Sequence, residues 1–474
     1  MSTGRPGTAD QPLRVAIVGA GPAGFYAADQ LLRQEGLVVE IDMFDRVPMP
    51  FGLVRSGVAP DHQKIKSVTA AFDKVASHPR FRFYGCVELG KHVTVEDLRA
   101  HYHQIFYATG AQTDRRMGIP GEDLKGSHPA TEFVAWYNGH LDYQDHQFDL
   151  SVERAAVVGV GNVAIDVARI LCRTPEELAG TDISDQALAA LRGSRIKEVY
   201  LLGRRGPAQA AFTNPEIKEL GELAGADVIV HPHEVELDPL SRAALAQAPD
   251  RATTKKVDIL QGFAKQPASG KPRRLVIRFL VSPVELIGNA AGEVTGITLV
   301  RNELSQTPTG TLQPRAIEQF ETLPVGLVFR SVGYRGVALP GVPFNDKWAV
   351  ILNEKGRVID PGTRQPVVGE YTGGWIKRGP SGVIGTNKPD AAETVVGMLE
   401  DLGKGVMLQP LAATAASADA FVRSRQPQCV SYPDWKRLDQ LEVERGRASG
   451  RPRVKLTRLE EIFAALRDQS AGNR

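Results

Sequence analysis

Two glycine-rich turns in this chain have the residues to seat a pyrophosphate. The first lies in Val15–Gly24 (VAIVGAGPAG) and the second in Ala156–Ala164 (AVVGVGNVA). In both, a short apolar strand runs into glycines and then into a helical pattern. Gly19 permits the sharp reversal, Gly21 lets the backbone approach a phosphate, and Gly24 lets the helix pack on the strand. The helix start then offers free N–H groups and the positive end of its dipole. A second strand, Val38–Phe44, ends at Asp45, and an acid about 20 positions beyond the last glycine is where a ribose hydroxyl is bound. Two such turns with different residues downstream point to two different dinucleotides held against each other. That arrangement moves electrons.

The second turn carries Gly161 and, in the third glycine position, Ala164. Its downstream strand, Glu198–Leu202, ends in Gly203-Arg204-Arg205-Gly206 rather than in an acid. Two guanidiniums there suit a ribose 2′-phosphate through bidentate, charge-assisted hydrogen bonds, whereas an Asp would repel it. The residues favour NADPH over NADH. Glu216 follows in Thr213-Asn214-Pro215-Glu216. Thr-x-x-Glu with an early proline is also a capping box, and a cap and a ligand contact are both open readings of Glu216. A third element, Gly373–Lys388 (GGWIKRGPSGVIGTNK), is glycine-rich yet carries a Trp and several cations, and leads into a helical pattern over Ala391–Leu402. N–H groups at that helix start would suit the negative charge of a reduced flavin.

The rest of the chain narrows the class. At 474 residues it has room for two or three domains, and 42% hydrophobic and 24% charged residues with a net charge of +2 describe an ordinary globular protein. No apolar run approaches the roughly 18 residues a bilayer requires. Residues 1–12 are polar and lack the apolar core of a secretion signal, which predicts a cytoplasmic protein. Cys86, Cys172 and Cys429 are far apart, with neither a Cys-x-x-Cys pair nor Cys/His metal spacing. A disulfide reductase and a resident metal centre are therefore not expected, and any iron–sulfur centre belongs to a partner. The basic stretch Arg445–Lys455 predicts a solvated surface rather than nucleic-acid binding.

Taken with Gly52–His62 (GLVRSGVAPDH), Gly159–Arg169 (GVGNVAIDVAR), Gly203–Pro207 with Ala211-Phe212-Thr213, and Trp375–Lys388, the chain resembles the adrenodoxin-reductase family of ferredoxin–NADP reductases in its bacterial form. The matching stretches run from residue 13 to about 405. The resemblance implies an α/β protein of two Rossmann-like domains, with an NADP domain (113–335) inserted into a discontinuous FAD domain (1–112 and 336–474). FAD would be held at Ala23, Asp45, Leu53 and Val87, and by Trp375 with Gly382, Val383 and Ile384. NADP(H) would be held by Arg115, by Gly161, Asn162, Val163 and Ala164, by Arg204, Arg205 and Glu216, and again at Gly382. His62 and Glu219 match a His and a Glu placed beside the flavin–nicotinamide contact. Asp45 departs from the family, which usually carries Glu there, and so does Pro215.

The implied activity is hydride transfer from NADPH to FAD, then single-electron transfer to a ferredoxin-type iron–sulfur protein. Ferredoxins are typically acidic, so Arg55, Lys64, Lys66 and Lys218 are candidate docking cations at the cleft. A quinone or dye reductase, and a non-catalytic redox-sensing flavoprotein, are alternative uses of the same cofactors.

Overall fold

The computed structural model describes residues 6–471; the first five residues of the polar lead segment and the last three of the C-terminal extension lie outside them. Leu13–Val18 is buried at every position, as expected for a strand covered on both faces of a parallel sheet. It sits third from one edge of a seven-stranded sheet ordered Asn353–Glu354, Arg357–Ile359, Pro366–Thr372, Gln104–Tyr107, Leu13–Val18, Val39–Phe44, Phe81–Tyr84. The five strands from Pro366–Thr372 onward are parallel, and the two at the far edge are antiparallel. The helix Pro22–Leu32 packs on this sheet through Phe25, Ala27, Ala28 and Leu31, and the helix Asn387–Gly403 packs against it.

The second sheet has six parallel strands in the order Ser127–Pro129, Leu327–Arg330, Arg154–Val158, Glu198–Gly203, Arg273–Phe279, Ala226–Val230. A three-stranded antiparallel sheet, Val281–Gly288, Val294–Gln306 and Leu312–Leu323, is appended to it. The chain crosses between the two bodies at Thr113–Asp114 and returns at Tyr334–Arg335, and these segments pair as an antiparallel ribbon. The apolar cores stay separate. Two clusters draw their buried members from 13–108 and 342–462, and two others from 130–329.

Both sheets are doubly wound, and in each the central strand has neighbours on opposite sides that lead away from it. That is the switch point where open α/β sheets bind ligands. Both glycine turns lie there, at the C-terminal ends of Leu13–Val18 and Arg154–Val158.

The glycines in each turn serve two separate needs. Gly159 has φ +131°, and a Cβ on it would lie 2.2 Å from the Ser331 carbonyl oxygen; Gly19 is alike, with φ +108° and 2.5 Å to the Ala108 carbonyl oxygen. Gly21 and Gly161 have extended backbones, and a Cβ on either would meet nothing within 4 Å. The fold therefore demands the first glycine, while the second keeps a space clear. Gly159→Ala is expected to cost about 1–3 kcal/mol of strain and lower Tm by several degrees in differential scanning fluorimetry. Gly161→Ala should leave Tm unchanged and weaken nucleotide binding at least tenfold in a difference-absorbance titration.

Candidate functional site

Each turn feeds a helix whose start has no side-chain cap. Pro22–Leu32 begins at Gly21 and Asn162–Cys172 at Gly161, so the first-turn N–H groups point into the cleared space. Ala23 and Gly24 lie in the first helix, while Val163 and the buried Ala164 lie in the second. Asp45 ends its strand as expected. Its Oδ2 accepts from Ala20 N at 2.8 Å and its Oδ1 from Val47 N at 3.1 Å, so the side chain braces the first turn. Burial raises its pKa, and those backbone donors oppose the shift. Val87 is fixed beside it by its N–H to the Asp45 carbonyl at 2.9 Å. Leu53 starts the short helix Leu53–Ser56 directly after Gly52, whose Cβ would fall 2.9 Å from Gly21 Cα.

The third element closes on the same place. A Cβ on Gly374 would lie 2.6 Å from Ala23 Cβ, so the Trp375 turn sits against the start of the phosphate helix. Trp375 donates from Nε1 to the Ser381 carbonyl at 3.1 Å and packs its ring 5.4 Å from that of Tyr334. Gly382 and Val383 are exposed and Ile384 is half-buried, ahead of the uncapped start of Asn387–Gly403. Space over Gly21, two uncapped helix starts, a carboxylate at the strand end and an indole on the rim together fit a flavin dinucleotide.

On the opposite body, Arg204 is exposed and Arg205 half-buried. Their backbones are pinned: the Arg204 carbonyl accepts from Asn302 Nδ2 at 2.9 Å, and the Arg205 carbonyl from Leu280 N at 3.2 Å. Burial lowers the pKa of Arg205, and the charge of Arg204 adds to that. Arg115, exposed on the crossing ribbon, approaches Gly333. Among the described residues none of these three cations has a carboxylate partner. The arrangement fits a 2′-phosphate. Asn162 has a bracing role: its Oδ1 accepts from Thr213 N at 2.9 Å.

His62 and Glu219 come from opposite bodies and meet, with Nε2 to Oε2 at 2.7 Å. His62 is also 3.8 Å from Glu216 Oε2 and 3.9 Å from Asp166 Oδ1. Behind them lies Arg169, fully buried, which holds Asp61 through Nε at 2.7 Å and Nη2 at 3.0 Å, Asp166 at 2.7 Å and Glu216 at 3.3 Å. Asp61 also accepts from Arg173 at 2.7 Å. Burial acts to raise the Asp61 pKa, but the hydrogen bond and charge of Arg169 outweigh it, and the carboxyl titrates well below its usual range. Glu216 is the opposite case: burial, reinforced by Asp166, pushes it up to about 7. The donor atoms of His62, Glu216 and Glu219 lie within 4.8 Å of one another, and the cation facing them is Arg169.

Several expectations need correcting. Thr213 does not cap the helix Asn214–Leu220, so no capping box engages Glu216, which turns inward to Arg169 instead. Arg55 is not a docking cation: it is half-buried, bidentate with Glu442 at 2.9 and 2.5 Å, and lies over the Trp435 ring. Lys66 is likewise buried, on Asp182 at 2.6 Å. Lys64 and Lys218 are exposed. The basic stretch ending at Lys455 is partly an inter-body contact rather than solvated surface. The Arg169–Asp61–Asp166 centre was missed. Its signal was a pair of charges, Asp166 and Arg169, spaced i,i+3 in an otherwise apolar helix. All three cysteines are free and buried, and burial raises each thiol's pKa. Among the described residues no helix is long and apolar enough to cross a membrane.

The family profile described as pyridine nucleotide-disulphide oxidoreductase matches residues 13–219. A protein of Mycobacterium tuberculosis named NADPH-ferredoxin reductase FprA is 46% identical over 96% of this chain and 99% of its own. The human mitochondrial NADPH:adrenodoxin oxidoreductase is 40% identical, covering 97% of this chain and 93% of its own. The solved structure of M. tuberculosis FprA in complex with NADPH superposes with a TM-score of 0.90 at 45% identity, over 96% of this chain and 99% of that one. The chain belongs to the adrenodoxin-reductase family of ferredoxin–NADP reductases. Such reductases depend on FAD, use NADP(H) and serve an electron-carrier partner.

Glu216 makes the ionisation of this reductase site measurable. Its carboxyl holds a proton in the folded protein up to about pH 7, but loses it in the unfolded chain near the ordinary carboxylate range. The folded state thus binds the extra proton in that window, and stability falls as pH rises through it. Glu216→Gln should match the parent Tm near about pH 5.5 and exceed it near about pH 8, by scanning calorimetry of the holoprotein.

Proposed function

We propose that this protein is a ferredoxin–NADP reductase in which the 1–112 and 336–474 segments hold FAD and residues 113–335 hold NADPH. When bound, these cofactors supply the redox chemistry, a hydride passing from NADPH to FAD and electrons leaving singly to an iron–sulfur protein. The protein supplies position, charge and a proton path. The first-turn N–H groups at Ala23 and Gly24 would hold the flavin pyrophosphate, and those of Asn162, Val163 and Ala164 would hold the nicotinamide dinucleotide. Arg204 and Arg205, with Arg115 near the crossing ribbon, take the 2′-phosphate. Trp375, Gly382, Val383 and Ile384 line the flavin edge.

The observation that carries this reading is the His62–Glu219 contact at 2.7 Å, made across the cleft from opposite bodies. It joins the run that follows Leu53 to the helix Asn214–Leu220, beyond the Arg204–Arg205 pair, where the two rings would meet. A hydride needs no protein acid, so His62 and Glu219 serve the protons instead. His62 Nε2 shares a proton with Glu219 Oε2, and Glu219 is 37% exposed against 9% for His62, so it connects the buried imidazole to solvent. Exposed Lys64 and Lys218 flank that pair in sequence and suit an acidic carrier.

Anaerobic stopped-flow mixing with NADPH should bleach the flavin, and a reduced sample mixed with an oxidised ferredoxin should regain its colour. No bleaching would overturn the function. Replacing Arg204 and Arg205 with Ala should raise KM for NADPH about tenfold or more, on the scale of a lost charged hydrogen bond, with little change for NADH. Equal effects on both nucleotides would refute the phosphate assignment.

A further inference from the structure

With separate apolar cores, the angle between the two bodies must be set by something else. The Arg169–Asp61 pair is one such constraint, and the chain past the helix Tyr432–Ala448 supplies another. From Arg451 to Arg458 the segment forms neither helix nor strand, and its cations reach both bodies. Arg451 donates to the Thr181 carbonyl at 2.9 Å, to the Ile183 carbonyl, and to Asp185 on the nucleotide-turn body. Arg453 turns back to Asp439 at 2.6 Å and Glu442 at 3.1 Å on its own body. Lys455, buried, reaches Asp182 at 3.4 Å and Asn138 at 3.3 Å on the other. Arg458 closes on Asp145 at 2.9 Å.

The segment is anchored as firmly as it is charged. Val454 N donates to the Glu442 carbonyl at 2.9 Å, and Leu456 N to Glu442 Oε1 at 2.8 Å. Gly446, in the interior of the helix, leaves the room the segment occupies: a Cβ there would fall 2.4 Å from Arg453 Cα. Glu442 also grips Arg55, two residues from the flavin-side Leu53. Asp182 is held from both sides, by Lys455 of the segment and by Lys66, four residues beyond His62. Burial acts to raise the Asp182 pKa, but these two cations hold it down at about 2. One ionic chain thus runs from beside Leu53, through Glu442 and the segment, to Asp182 and back to the run that bears His62.

We infer that Arg451–Arg458 is a strap that sets the angle between the two nucleotide bodies, with Arg451 and Lys455 as positioning residues for hydride transfer. The inference rests on the flavin–nicotinamide reading above. Neither residue touches either nucleotide turn. Their loss should therefore spare binding at each half and damage only the registration of one half on the other.

The test compares Arg451→Ala, Arg451→Lys and Lys455→Met holoenzymes with the parent. FAD content and the Kd for NADP+ should stay within twofold of the parent. The rate of flavin bleaching by NADPH should fall at least tenfold in Arg451→Ala and Lys455→Met, with KM changed less than threefold and the long-wavelength charge-transfer absorbance of the stacked rings weakened. Arg451→Lys should recover part of that rate. Hydrogen exchange at residues 181–185 should quicken in the Ala and Met variants. Bleaching within twofold of the parent, or loss of FAD in step with the rate and no recovery in Arg451→Lys, would overturn the inference. Should Lys455→Met not accumulate as holoenzyme, Asp185→Asn alters the strap at its exposed rim, and a rate within 20% of the parent there would count equally against it. If the parent flavin is not bleached at all, the proposed function fails, while the exchange at 181–185 still decides whether the strap joins the bodies.

Discussion

Charge buried between two bodies that share no apolar core is the constraint on which the rest of this structure depends. Arg169 is its centre, a guanidinium removed from water and surrounded by Asp61, Asp166 and Glu216. Such a cluster adds little net stability over an apolar one of the same shape, because desolvation offsets the attraction. Breaking it is another matter, since removing one partner strands the others at about 3–5 kcal/mol. A bidentate pair such as Arg169–Asp61, at 2.7 and 3.0 Å, fixes direction as well as distance. Hydride transfer needs that rigidity more than it needs stability, because reacting atoms must meet within a few tenths of an ångström.

The same constraint explains why the residues from 52 to 66 are so closely specified. Within fifteen positions this run passes the first turn at Gly52, grips Glu442 through Arg55, presents Asp61 to Arg169 and His62 to Glu219, and ends with Lys66 on Asp182. It serves both as a wall of the flavin site and as the inter-body contact. A change of one helical turn anywhere in it would displace His62 along with the ion pairs. The imidazole is placed by the same interactions that place the domains.

Much of this was legible in the sequence, and what was not had one cause. The glycine turns, Asp45, the Arg204–Arg205 pair and the helix after Trp375 are local signals, written within about thirty residues and tied to the strand and helix periods. The short apolar strands before each turn are legible for the same reason, and the two Rossmann-like domains follow from the family resemblance. The failures all involve partners far apart in sequence. Arg55 and Lys66 resembled docking cations because residue type carries no information about burial; their partners Glu442 and Asp182 lie 387 and 116 positions away. Arg451–Lys455 read as solvated for the same reason. Thr213 misled differently: its spacing to Glu216 fits a capping box, but Arg169 outcompetes the backbone for that carboxylate. A local motif yields when a buried charge of opposite sign is within reach.

Pairing separates the cations that build this protein from those that serve its ligands. Arg169, Arg173, Lys66, Arg451, Lys455 and Arg55 each face a carboxylate, and Arg169, Lys66 and Lys455 are buried. Arg204 and Arg205 adjoin in sequence with no carboxylate partner among the described residues, on backbones fixed by Asn302 and Leu280, and burial with the charge of Arg204 lowers the pKa of Arg205. Holding two like charges side by side costs free energy in the protein alone, so it makes sense only where an anion arrives to relieve it. Asp182 between Lys66 and Lys455 is the mirror image, an anion already saturated from within the chain. A phosphate at Arg204 and Arg205 would complete there what Asp182 completes at the strap. The same physics holds the two bodies together and leaves Arg204 and Arg205 for an arriving phosphate.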